Sequence, residues 1–353
     1  MKAVRIKLPV KLRKTVLALG PQTKNTICFA KGSSAYISPM HADLSLPADL
    51  SAFGKDARYF LKKHPKIVAC DLHPEYQSTK LALSISGRRN PELIQHHHAH
   101  IAACMAENGL KGQKVIGVAF DGTGLGPDNN IWGAEFLVCN YKTFVRQAHL
   151  KEIPLVGGER AVLEPWRVLA AWFDFDKDRE LKKIYQSGIN SPLASSMGRL
   201  FDAVASLILS KAKASFEAEL PIALEKLAEK GKFRNSDYRF NLKKCQGSYI
   251  IDPAGVFKRI LKDLKSGISR NDIALNFHHS VARMIAQTCS VLRKRNQIKK
   301  VALSGGVFQN RILQRLSSDL LYQEGFEVFT HKKLSCNDSC VSLGEAIIAG
   351  LRS

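Results

Sequence analysis

The chain has 353 residues, 45% of them hydrophobic, which is enough to bury the cores of two lobes. A formal net charge of +22 predicts attraction to an acidic partner or ligand, such as a nucleotide or a nucleic acid, although basic charge can simply keep a protein soluble. Because the eight cysteines include no Cys-x-x-Cys pair and no apolar run is long enough to span a membrane, we expect a cytoplasmic protein without a secretory signal, a membrane segment or a zinc ribbon.

The first third of the chain predicts a mixed α/β lobe. Its opening contains three short apolar or β-branched runs that are typical of a three-stranded meander, and helical and strand patterns then alternate. The predicted strands are residues 15–20, 26–30, 35–38, 66–70 and 93–95, and the predicted helices are residues 48–64, a helix that follows residues 71–74 and ends at about residue 84, and one that begins at residue 96.

A turn at residues 111–113 leads into a second set of strands, which repeats the order of elements in the first part but not its residues. We therefore expect an N-terminal lobe at residues 15–110 and a C-terminal lobe at residues 111–353, with a largely helical insert at about residues 155–270. The predicted strands are residues 115–120, 134–140, 145–153, 238–242, 249–252, 300–304 and 327–330, and the predicted helices are residues 166–173, 197–210, 220–230, 253–264, 272–293, 309–323 and 342–351.

A histidine cluster at residues 96–100 is the strongest chemical signal in the sequence, and a run of small apolar residues that predicts a helix follows it. His96 and His100 are one helical turn apart and share a face, which suits zinc or a transition metal. Asp121 ends an apolar run that predicts a buried strand. A carboxylate beside a glycine-rich turn, Gly122 to Gly124, suits a metal and phosphate site. A solvated surface patch of histidines is the alternative.

A second candidate site lies near the end of the chain, where a predicted strand leads through Gly305 and Gly306 into a predicted helix. The glycines allow the backbone to approach a ligand closely, and a helix N-terminus attracts an anion. Asn310 is a candidate for binding a ribose or a base. An ordinary tight turn between a strand and a helix fits the same pattern.

Two acidic residues have roles that their spacing leaves open. Asp338 lies between a predicted strand and the last predicted helix, so it is either a helix N-cap or a second carboxylate ligand for the metal. Two histidines and two carboxylates together suit iron, zinc or manganese. Asp202, four residues after Gly198 in a predicted helix, lies either at the border of a cleft or on an exposed helix face.

Four motifs together resemble one known family. They are Gln-His-His-His-Ala-His at residues 95–100, Asp-Gly-Thr-Gly at 121–124, Ser-Ser-Met-Gly-Arg-Leu-Phe-Asp at 195–202 and Leu-Ser-Gly-Gly-Val-Phe-Gln-Asn-Arg at 303–311. In this order they are similar to the C-terminal carbamoyl-transfer domain of the HypF family, which acts in [NiFe]-hydrogenase maturation. The resemblance covers about residues 15–350 and implies the actin/sugar-kinase-like fold, a ribonuclease H-like α/β fold with two duplicated lobes around a nucleotide cleft.

The resemblance also implies a reaction and a set of site residues. Carbamoyl-adenylate, an adenine nucleotide, is the expected donor, and the C-terminal cysteine of a HypE-like partner protein is the expected acceptor. A divalent metal ion, with Fe or Zn favoured, is expected, and no catalytic residue beyond the metal site is implied. The implied metal ligands are His96, His100, Asp121 and Asp338, and the implied nucleotide-binding residues are Asp121, Gly122, Thr123, Gly124, Gly198, Asp202, Gly305, Gly306 and Asn310.

Parts of the family pattern differ in this chain. The family's acylphosphatase, zinc-finger and YrdC-like adenylate-forming domains have no counterpart in these residues, so we expect a separate YrdC-like protein or domain to supply the donor. Two motifs that contain glycine in the family read Phe-Glu-Ala-Glu at residues 216–219 and Asn-Asp-Ser-Cys at residues 337–340. A related carbamoyl or threonylcarbamoyl transferase acting on tRNA or a small-molecule hydroxyl, and a non-catalytic docking subunit, are the alternative functions.

Overall fold

The structure is a computed structural model that describes residues 3–87, 89–173, 179–234 and 238–352. Two large β-sheets form its framework, and a two-stranded sheet lies beside the first of them. One large sheet is built from residues before position 95 and the other from residues after position 114, so the mixed α/β architecture that the sequence predicts is confirmed. Among the described helices, none combines the length and the apolar character needed to cross a membrane.

The first part of the chain contributes eight strands. They are β1 (Val4–Lys7), β2 (Val16–Ala18), β3 (Thr23–Asn25), β4 (Cys28–Lys31), β5 (Ser34–Ile37), β6 (His41–Asp43), β7 (Ile67–Asp71) and β8 (Glu92–Ile94). Six of them form a sheet in the order β1-β5-β4-β2-β7-β8, and β3 pairs with β6. The predicted meander is confirmed as β2, β4 and β5, but the sequence pattern did not predict the edge strand β1, in which only one residue is buried.

The remaining strands belong to a nine-stranded sheet. They are β9 (Val115–Leu125), β10 (Ile131–Cys139), β11 (Phe144–Leu150), β12 (Ile153–Pro154), β13 (Leu193–Ser196), β14 (Asn241–Cys245), β15 (Ser248–Asp252), β16 (Lys300–Ser304) and β17 (Glu327–Phe329). The order is β14-β15-β11-β10-β9-β16-β17, and off this path β13 pairs with β10 and β12 pairs with β13. Parallel pairing of β9 with β16 places Ser304, the last residue of β16, opposite Ala119 of β9. The motifs that begin at Asp121 and Gly305 therefore lie close together, just beyond this pairing.

Helices surround and connect the sheets. They are α1 (Pro47–Leu61), α2 (Gln77–Ser86), α3 (His96–Glu107), α4 (Arg160–Leu163), α5 (Trp166–Trp172), α6 (Arg179–Gln186), α7 (Met197–Leu209), α8 (Glu219–Ala228), α9 (Ala254–Lys265), α10 (Arg270–Asn296), α11 (Arg311–Gln323) and α12 (Val341–Arg352). Short 3-10 helices precede α11 and α12 at Gly306–Gln309 and Asp338–Cys340.

Helices α3 and α12 pack against each other in the region where the two sheets meet. Helix α12 also contacts β2 and β7 of the first sheet, while α3 also contacts β9 and β16 of the second. A single buried cluster of side chains from both sheets and both helices results, and small residues of α3 such as Ala99 and Ala103 allow the close packing. The expected division at residue 110 therefore places α12 in the C-terminal lobe although its side chains pack on the sheet of the N-terminal one.

One predicted local structure is wrong. We expected the strand to end at Asp121 and a glycine-rich turn to follow at residues 122–124, but these residues continue β9, which pairs with β10 as far as Leu125. The pairing shifts register between Trp132 and Ala134, so a bulge accommodates the motif inside the sheet. Asp121 thus lies within a strand, on a more rigid support than a loop would give.

Candidate functional site

The histidine motif forms the first turn of α3. Gln95 is the N-cap residue, because its side-chain oxygen accepts a hydrogen bond from the backbone N–H of His98 at 2.8 Å. The side chains of His96, His97, His98 and His100 are all fully buried. The alternative of a solvated surface patch is therefore excluded.

Four of the predicted site residues lie together. The Oδ2 atom of Asp121 is 3.3 Å from Nε2 of His96 and 3.0 Å from Nε2 of His100. The Oδ1 atom of Asp338 is 3.7 Å from the first of these nitrogens and 3.6 Å from the second. All four ligand atoms lie within 4.8 Å of one another, although the residues come from α3, β9 and the 3-10 helix before α12.

Residues around the cluster orient its side chains through hydrogen bonds. The Nδ1 atom of His96 lies 2.7 Å from Oδ2 of Asp71, which ends β7, so this nitrogen donates to the carboxylate and Nε2 presents its lone pair to the cluster. The Oδ1 atom of Asp121 accepts hydrogen bonds from the backbone N–H groups of Gly122 at 2.8 Å and Gly306 at 3.2 Å. These bonds leave its Oδ2 atom directed at the two imidazoles.

The pKa shifts show that the cluster favours positive charge. Burial lowers the pKa of His96, but Asp71, Asp121 and Asp338 raise it well above its usual range. Burial raises the pKa of Asp121, but its hydrogen bonds to His100 and His96 hold it well below its usual range. Two carboxylates and two imidazole nitrogens that converge in a buried space need a cation among them, either protons or a metal ion.

The donor set fits a divalent metal ion of the kind the sequence predicted. Two imidazole nitrogens and two carboxylate oxygens suit iron, zinc or manganese, and a carboxylate behind a ligating histidine is the usual way to orient its ring. Asp71 has that supporting role for His96, and the backbone N–H groups of Gly122 and Gly306 orient the carboxylate of Asp121. The residues present therefore fit a metal centre, with His96, His100, Asp121 and Asp338 as the candidate ligands.

A cavity of about 360 Å³ lies against this cluster. Asp121 is in its wall, so the cavity and the candidate metal centre share one residue. Its size is at the lower end of the range for small-molecule sites. The lining comes from β3, β9, α7, α8 and the segment around the 3-10 helix before α11, and it includes Lys24, Gly122, Gly198, Arg199, Asp202, Glu217, Gly306 and Asn310.

Arg199 is the most unusual residue of this cavity. It is 3% exposed, and its Nε and Nη1 atoms have no hydrogen-bond partner within the described part of the chain. Its Nε atom lies 3.0 Å from Oδ2 of Asp202, but that oxygen also has no hydrogen bond within the same residues. A buried guanidinium with unused N–H groups in a cavity wall fits an anionic ligand such as a phosphate.

Asp202 is buried rather than placed on an exposed helix face. Burial raises the pKa of its carboxyl to about 6, with Arg199 opposing the shift and Glu217 adding to it. Lys24 reaches the same cavity from the first part of the chain, and its Nζ lies 3.6 Å from Oε2 of Glu217. Burial lowers the pKa of this lysine, but Glu217, Asp338 and Asp121 raise it above its usual value.

The glycines of the two predicted motifs have different positions. Gly122 and Gly306 line the cavity. Gly124 instead faces the histidines, since a Cβ atom there would lie 2.6 Å from the ring of His97. Gly305 has φ of 106° and a Cβ atom would lie 2.1 Å from the carbonyl oxygen of Phe120, so it allows β9 and β16 to stay in contact. Neither Gly124, Gly305 nor Thr123 is part of the cavity wall.

Asn310 lines the cavity, but its side chain also has structural partners. Its Oδ1 atom accepts from the N–H of Leu313 at 2.9 Å, which caps α11, and its Nδ2 atom lies 2.8 Å from Nε2 of His278. Because the amide nitrogen has a second hydrogen, one donor remains for a ligand. The pattern of strand, two glycines and helix is thus more than a tight turn, since part of it borders a cavity.

Asp338 is the first residue of the 3-10 helix that precedes α12 and is not the cap of that 3-10 helix. The cap is Asn337, whose Oδ1 atom accepts from the N–H of Ser339 at 3.1 Å. Ser339 and Cys340, which replace glycines of the resembled family, lie in a right-handed 3-10 helix and need no glycine. Ala218 differs, because its φ of 65° is the left-handed conformation in which glycine is favoured.

Sequence reasoning missed several residues of the site. The sequence pattern places Asp71 only in the segment before α2, and it assigns no role to Ser304 or Cys340. In the structure the Sγ atom of Cys340 lies 3.4 Å from Nδ1 of His100, and Ser304 Oγ lies 3.3 Å from the same nitrogen. No local pattern identifies these contacts, because Ser304 and Cys340 are 204 and 240 positions from His100.

Two family models match the chain. "HypF Kae1-like domain" matches residues 11–107, and "Carbamoyltransferase, Kae1-like Domain, second subdomain" matches residues 117–345. The chain is 35% identical to "Carbamoyltransferase HypF" of Rhodobacter capsulatus over 96% of its own length and 47% of that protein. It is also 35% identical to "Carbamoyltransferase HypF homolog" of Cupriavidus necator over 95% of its length and 91% of that protein.

Solved structures of this family have the same fold. A full-length HypF in a phosphate- and nucleotide-bound form aligns with 98% of this chain and 57% of its own, with a TM-score of 0.91 and 38% identity. HypF of T. kodakarensis aligns with 99% of this chain and 49% of its own, with a TM-score of 0.86 and 30% identity. The predicted actin/sugar-kinase-like fold is confirmed, and the chain spans about half the length of most of these relatives.

Proposed function

The chain belongs to the HypF family of carbamoyltransferases, and we propose that it transfers a carbamoyl group from carbamoyl-adenylate to the C-terminal cysteine of a HypE-like acceptor protein in [NiFe]-hydrogenase maturation. The acceptor sulfur forms a bond to the carbamoyl carbon, and the bond from that carbon to the phosphate oxygen breaks. AMP leaves, and the thiol proton passes to solvent. Because the acyl group arrives activated as a mixed anhydride, no nucleophile of this chain is required.

The observation that carries the proposal is the contact between a candidate metal centre and a cavity. Asp121 belongs to both, so a ligand in the cavity would lie beside the cluster of His96, His100 and Asp338. Such an arrangement supports the expected role of holding a nucleotide-linked acyl group at a fixed position while a second substrate approaches. One relative is described as nucleotide-bound, which supports an adenine nucleotide as the occupant.

The cavity wall supports binding of the adenylate phosphate. Arg199 offers buried N–H groups that form no hydrogen bond with any described residue, and Lys24 offers an ammonium group from the first part of the chain. We propose that both contact the phosphate and stabilise the negative charge that grows on AMP as it leaves. Asp202, Gly198 and Asn310 would then contact the nucleoside.

We propose that His96, His100, Asp121 and Asp338 hold a divalent ion, with iron or zinc favoured. Lewis-acid polarisation of the carbamoyl carbonyl or the phosphate is the chemistry that such an ion would supply. The other residues of the site would orient the metal ligands. Asp71 orients the ring of His96, and the backbone N–H groups of Gly122 and Gly306 orient Asp121.

We also propose the division into lobes at residues 15–110 and 111–353, with the insert at about residues 155–270 closing one side of the cleft. The cavity supports it, since Lys24 comes from one side of this division and the other lining residues from the other. We propose that a separate YrdC-like adenylate-forming protein or domain supplies the donor.

A carbamoyl-transfer assay tests the function. The chain, carbamoyl-adenylate and a HypE-like acceptor are mixed, and the mass of the acceptor is followed. We expect a gain of one carbamoyl group on the wild-type acceptor, no gain on an acceptor whose C-terminal cysteine is replaced by serine, and no gain with the Asp121→Asn variant. No gain with the wild-type chain in a metal-loaded state would overturn the proposed acceptor or activity.

Transfer to tRNA is the second candidate function, and one surface feature favours it. A cavity of about 570 Å³ is lined by Arg13, Lys14, Lys66 and Arg89, and the whole chain has a net charge of +22. Basic side chains that converge on an open groove attract phosphates. A tRNA affinity that falls steeply with salt would support this acceptor, and no binding at low salt would remove it.

A further inference from the structure

His331 lies outside the predicted site but is tied to it by hydrogen bonds. Its side chain is buried, and it belongs to the segment that follows β17. Its Nε2 atom lies 2.8 Å from Oγ of Ser304, and its Nδ1 atom lies 2.9 Å from Oε2 of Glu107. Both ring nitrogens therefore have partners, and neither partner is one of the four candidate metal ligands.

Ser304 continues the chain of contacts to the candidate metal centre. It is the last residue of β16 and fully buried, and its Oγ atom lies 3.3 Å from Nδ1 of His100. A hydroxyl oxygen has two acceptor positions, so it can accept from His100 while it is bonded to His331. With the hydrogen on Nδ1, the lone pair of Nε2 points to Asp121 and Asp338.

Glu107 fixes the far end of this chain. It is the last residue of α3, two helical turns after His100 and on the same face. Its Oε1 atom accepts hydrogen bonds from the backbone N–H groups of Lys332 and Leu334, at 2.7 and 3.1 Å, in addition to that of Lys333. The segment that carries His331 is therefore attached to the helix that carries both candidate ligand histidines.

The two imidazoles of the centre are thus supported in parallel ways. His96 donates from Nδ1 directly to the carboxylate of Asp71, at 2.7 Å. From Nδ1, His100 reaches a carboxylate, that of Glu107, through Ser304 and His331, and the same nitrogen also lies 3.4 Å from Sγ of Cys340. In metal centres generally, residues that hydrogen-bond to the ligating histidines orient the imidazole rings and affect the affinity for the metal ion.

We propose that His331 is a positioning residue for His100, acting through the hydroxyl group of Ser304 and anchored by Glu107. This inference rests on the proposed metal centre and deepens it. His331 touches neither substrate nor metal. Its effect is to keep Nδ1 of His100 protonated and its ring fixed, so that Nε2 is presented as a ligand.

Cobalt binding tests the proposal without any transfer reaction. Metal-free wild type, His331→Ala, His331→Gln and Ser304→Ala are titrated with Co²⁺, and the affinity and the visible absorption spectrum are recorded. We expect His331→Ala and Ser304→Ala to bind Co²⁺ about 10- to 100-fold more weakly, with an altered spectrum. His331→Gln, which can still accept from or donate to Ser304, should recover much of the affinity.

His41→Gln is the matched control. His41 is also a buried histidine with polar partners on both ring nitrogens, Asn25 and Asp56, but it has no contact with the centre. Its variant should keep the wild-type Co²⁺ affinity even if its Tm falls as much as that of His331→Ala.

Two results would overturn the inference. Wild-type affinity and spectrum in both His331→Ala and Ser304→Ala would show that the contacts do not position His100. Loss of affinity in His41→Gln equal to that in His331→Ala would show a general effect of stability. If wild type binds no Co²⁺, the metal centre itself is wrong, whereas Co²⁺ binding without carbamoyl transfer would count only against the proposed activity.

Discussion

The Nδ1 atom of His96 lies 2.7 Å from the Oδ2 atom of Asp71, and both side chains are fully buried. Asp71 ends a strand of the first sheet, whereas the other acids around His96 come from β9 and the segment before α12. This pair therefore connects the first sheet to the candidate metal centre. It also gives the ring one orientation, since the nitrogen that faces Asp71 must donate.

The first prediction concerns this pair. Asp71→Asn keeps the shape of the side chain but removes its charge, so His96 loses its anionic partner. We expect about 10- to 100-fold weaker Zn²⁺ binding to the metal-free protein, measured by isothermal titration calorimetry. Asp56→Asn is the control, because Asp56 pairs in the same way with His41, away from the centre. Equal affinity in the Asp71 variant and wild type would contradict the orienting role.

The second prediction separates Asp338 from its neighbour. Asp338→Ala removes a carboxylate 3.6 Å from Nε2 of His100, while Ser339→Ala removes only a hydroxyl that bonds to Asn337. We expect the purified Asp338 variant to contain clearly less metal than the Ser339 variant and wild type, measured by plasma mass spectrometry. Equal metal contents in the two variants would assign Asp338 a structural role only.

Most helices and strands followed from the sequence because local periodicity determines them. The helix predicted at residues 272–293 is α10, Arg270–Asn296, and the histidine motif begins α3 at His96 as expected. Small edge elements were missed. The strand β1 has one buried residue, and the pair β12 and β13 depends on a partner strand distant in sequence. These elements are stabilised by tertiary contacts that a local pattern does not contain.

The residues of the candidate site also differ in whether a local sequence pattern identifies them. His96 and His100 could be paired from their helical spacing, and Asp121 was a candidate because it lies beside a glycine-rich motif. For Asp338 the spacing left a helix cap and a metal ligand open, and only the family resemblance favoured the ligand. Asp71 and His331 could not be found, since they reach the centre through pairing of distant strands and through a segment attached to Glu107. The motif at Asp121 was expected in a loop because glycine is typical of turns, but here glycine allows close packing inside a strand.

The third prediction concerns acid pH. Burial lowers the pKa of His278 to about 4, which the hydrogen bond to the Ala274 carbonyl only partly opposes. In an unfolded chain a histidine has a pKa of about 6.5, so between these values the unfolded state binds more protons. The free energy of unfolding should therefore fall as pH decreases from 6.5 to 4, by up to about 3 kcal/mol from this group.

Comparison with His278→Gln isolates this contribution. Glutamine does not titrate, so the variant should lose less stability than wild type between pH 7 and pH 5, measured by urea unfolding at each pH. His279 is the neighbouring histidine and is present in both proteins, so its effect cancels. Equal losses in the two proteins would show that His278 is not held in its neutral form.

The fourth prediction concerns the unused guanidinium of the cavity. Arg199→Met keeps most of the buried apolar stem but removes the N–H groups, and Arg199→Lys keeps the charge without the planar fork. Hydrogen bonds to charged groups contribute about 1.5–3 kcal/mol, so loss of one such contact weakens binding about 10- to 150-fold. We expect the methionine variant to bind AMP more weakly by this factor and the lysine variant to be intermediate, measured by calorimetry.

Arg167→Met is the control for this experiment. Arg167 is also largely buried, but its Nε atom already lies 2.5 Å from Oε2 of Glu164, and it is not part of the cavity wall. Its variant should bind AMP like wild type, whatever its Tm. Wild-type AMP affinity in Arg199→Met would contradict the assignment, because a phosphate bound in this cavity would then not use the N–H groups that have no partner in the described structure. Adenosine, which lacks the phosphate, should bind wild type and Arg199→Met equally, and this separates contact with the phosphate from contact with the nucleoside.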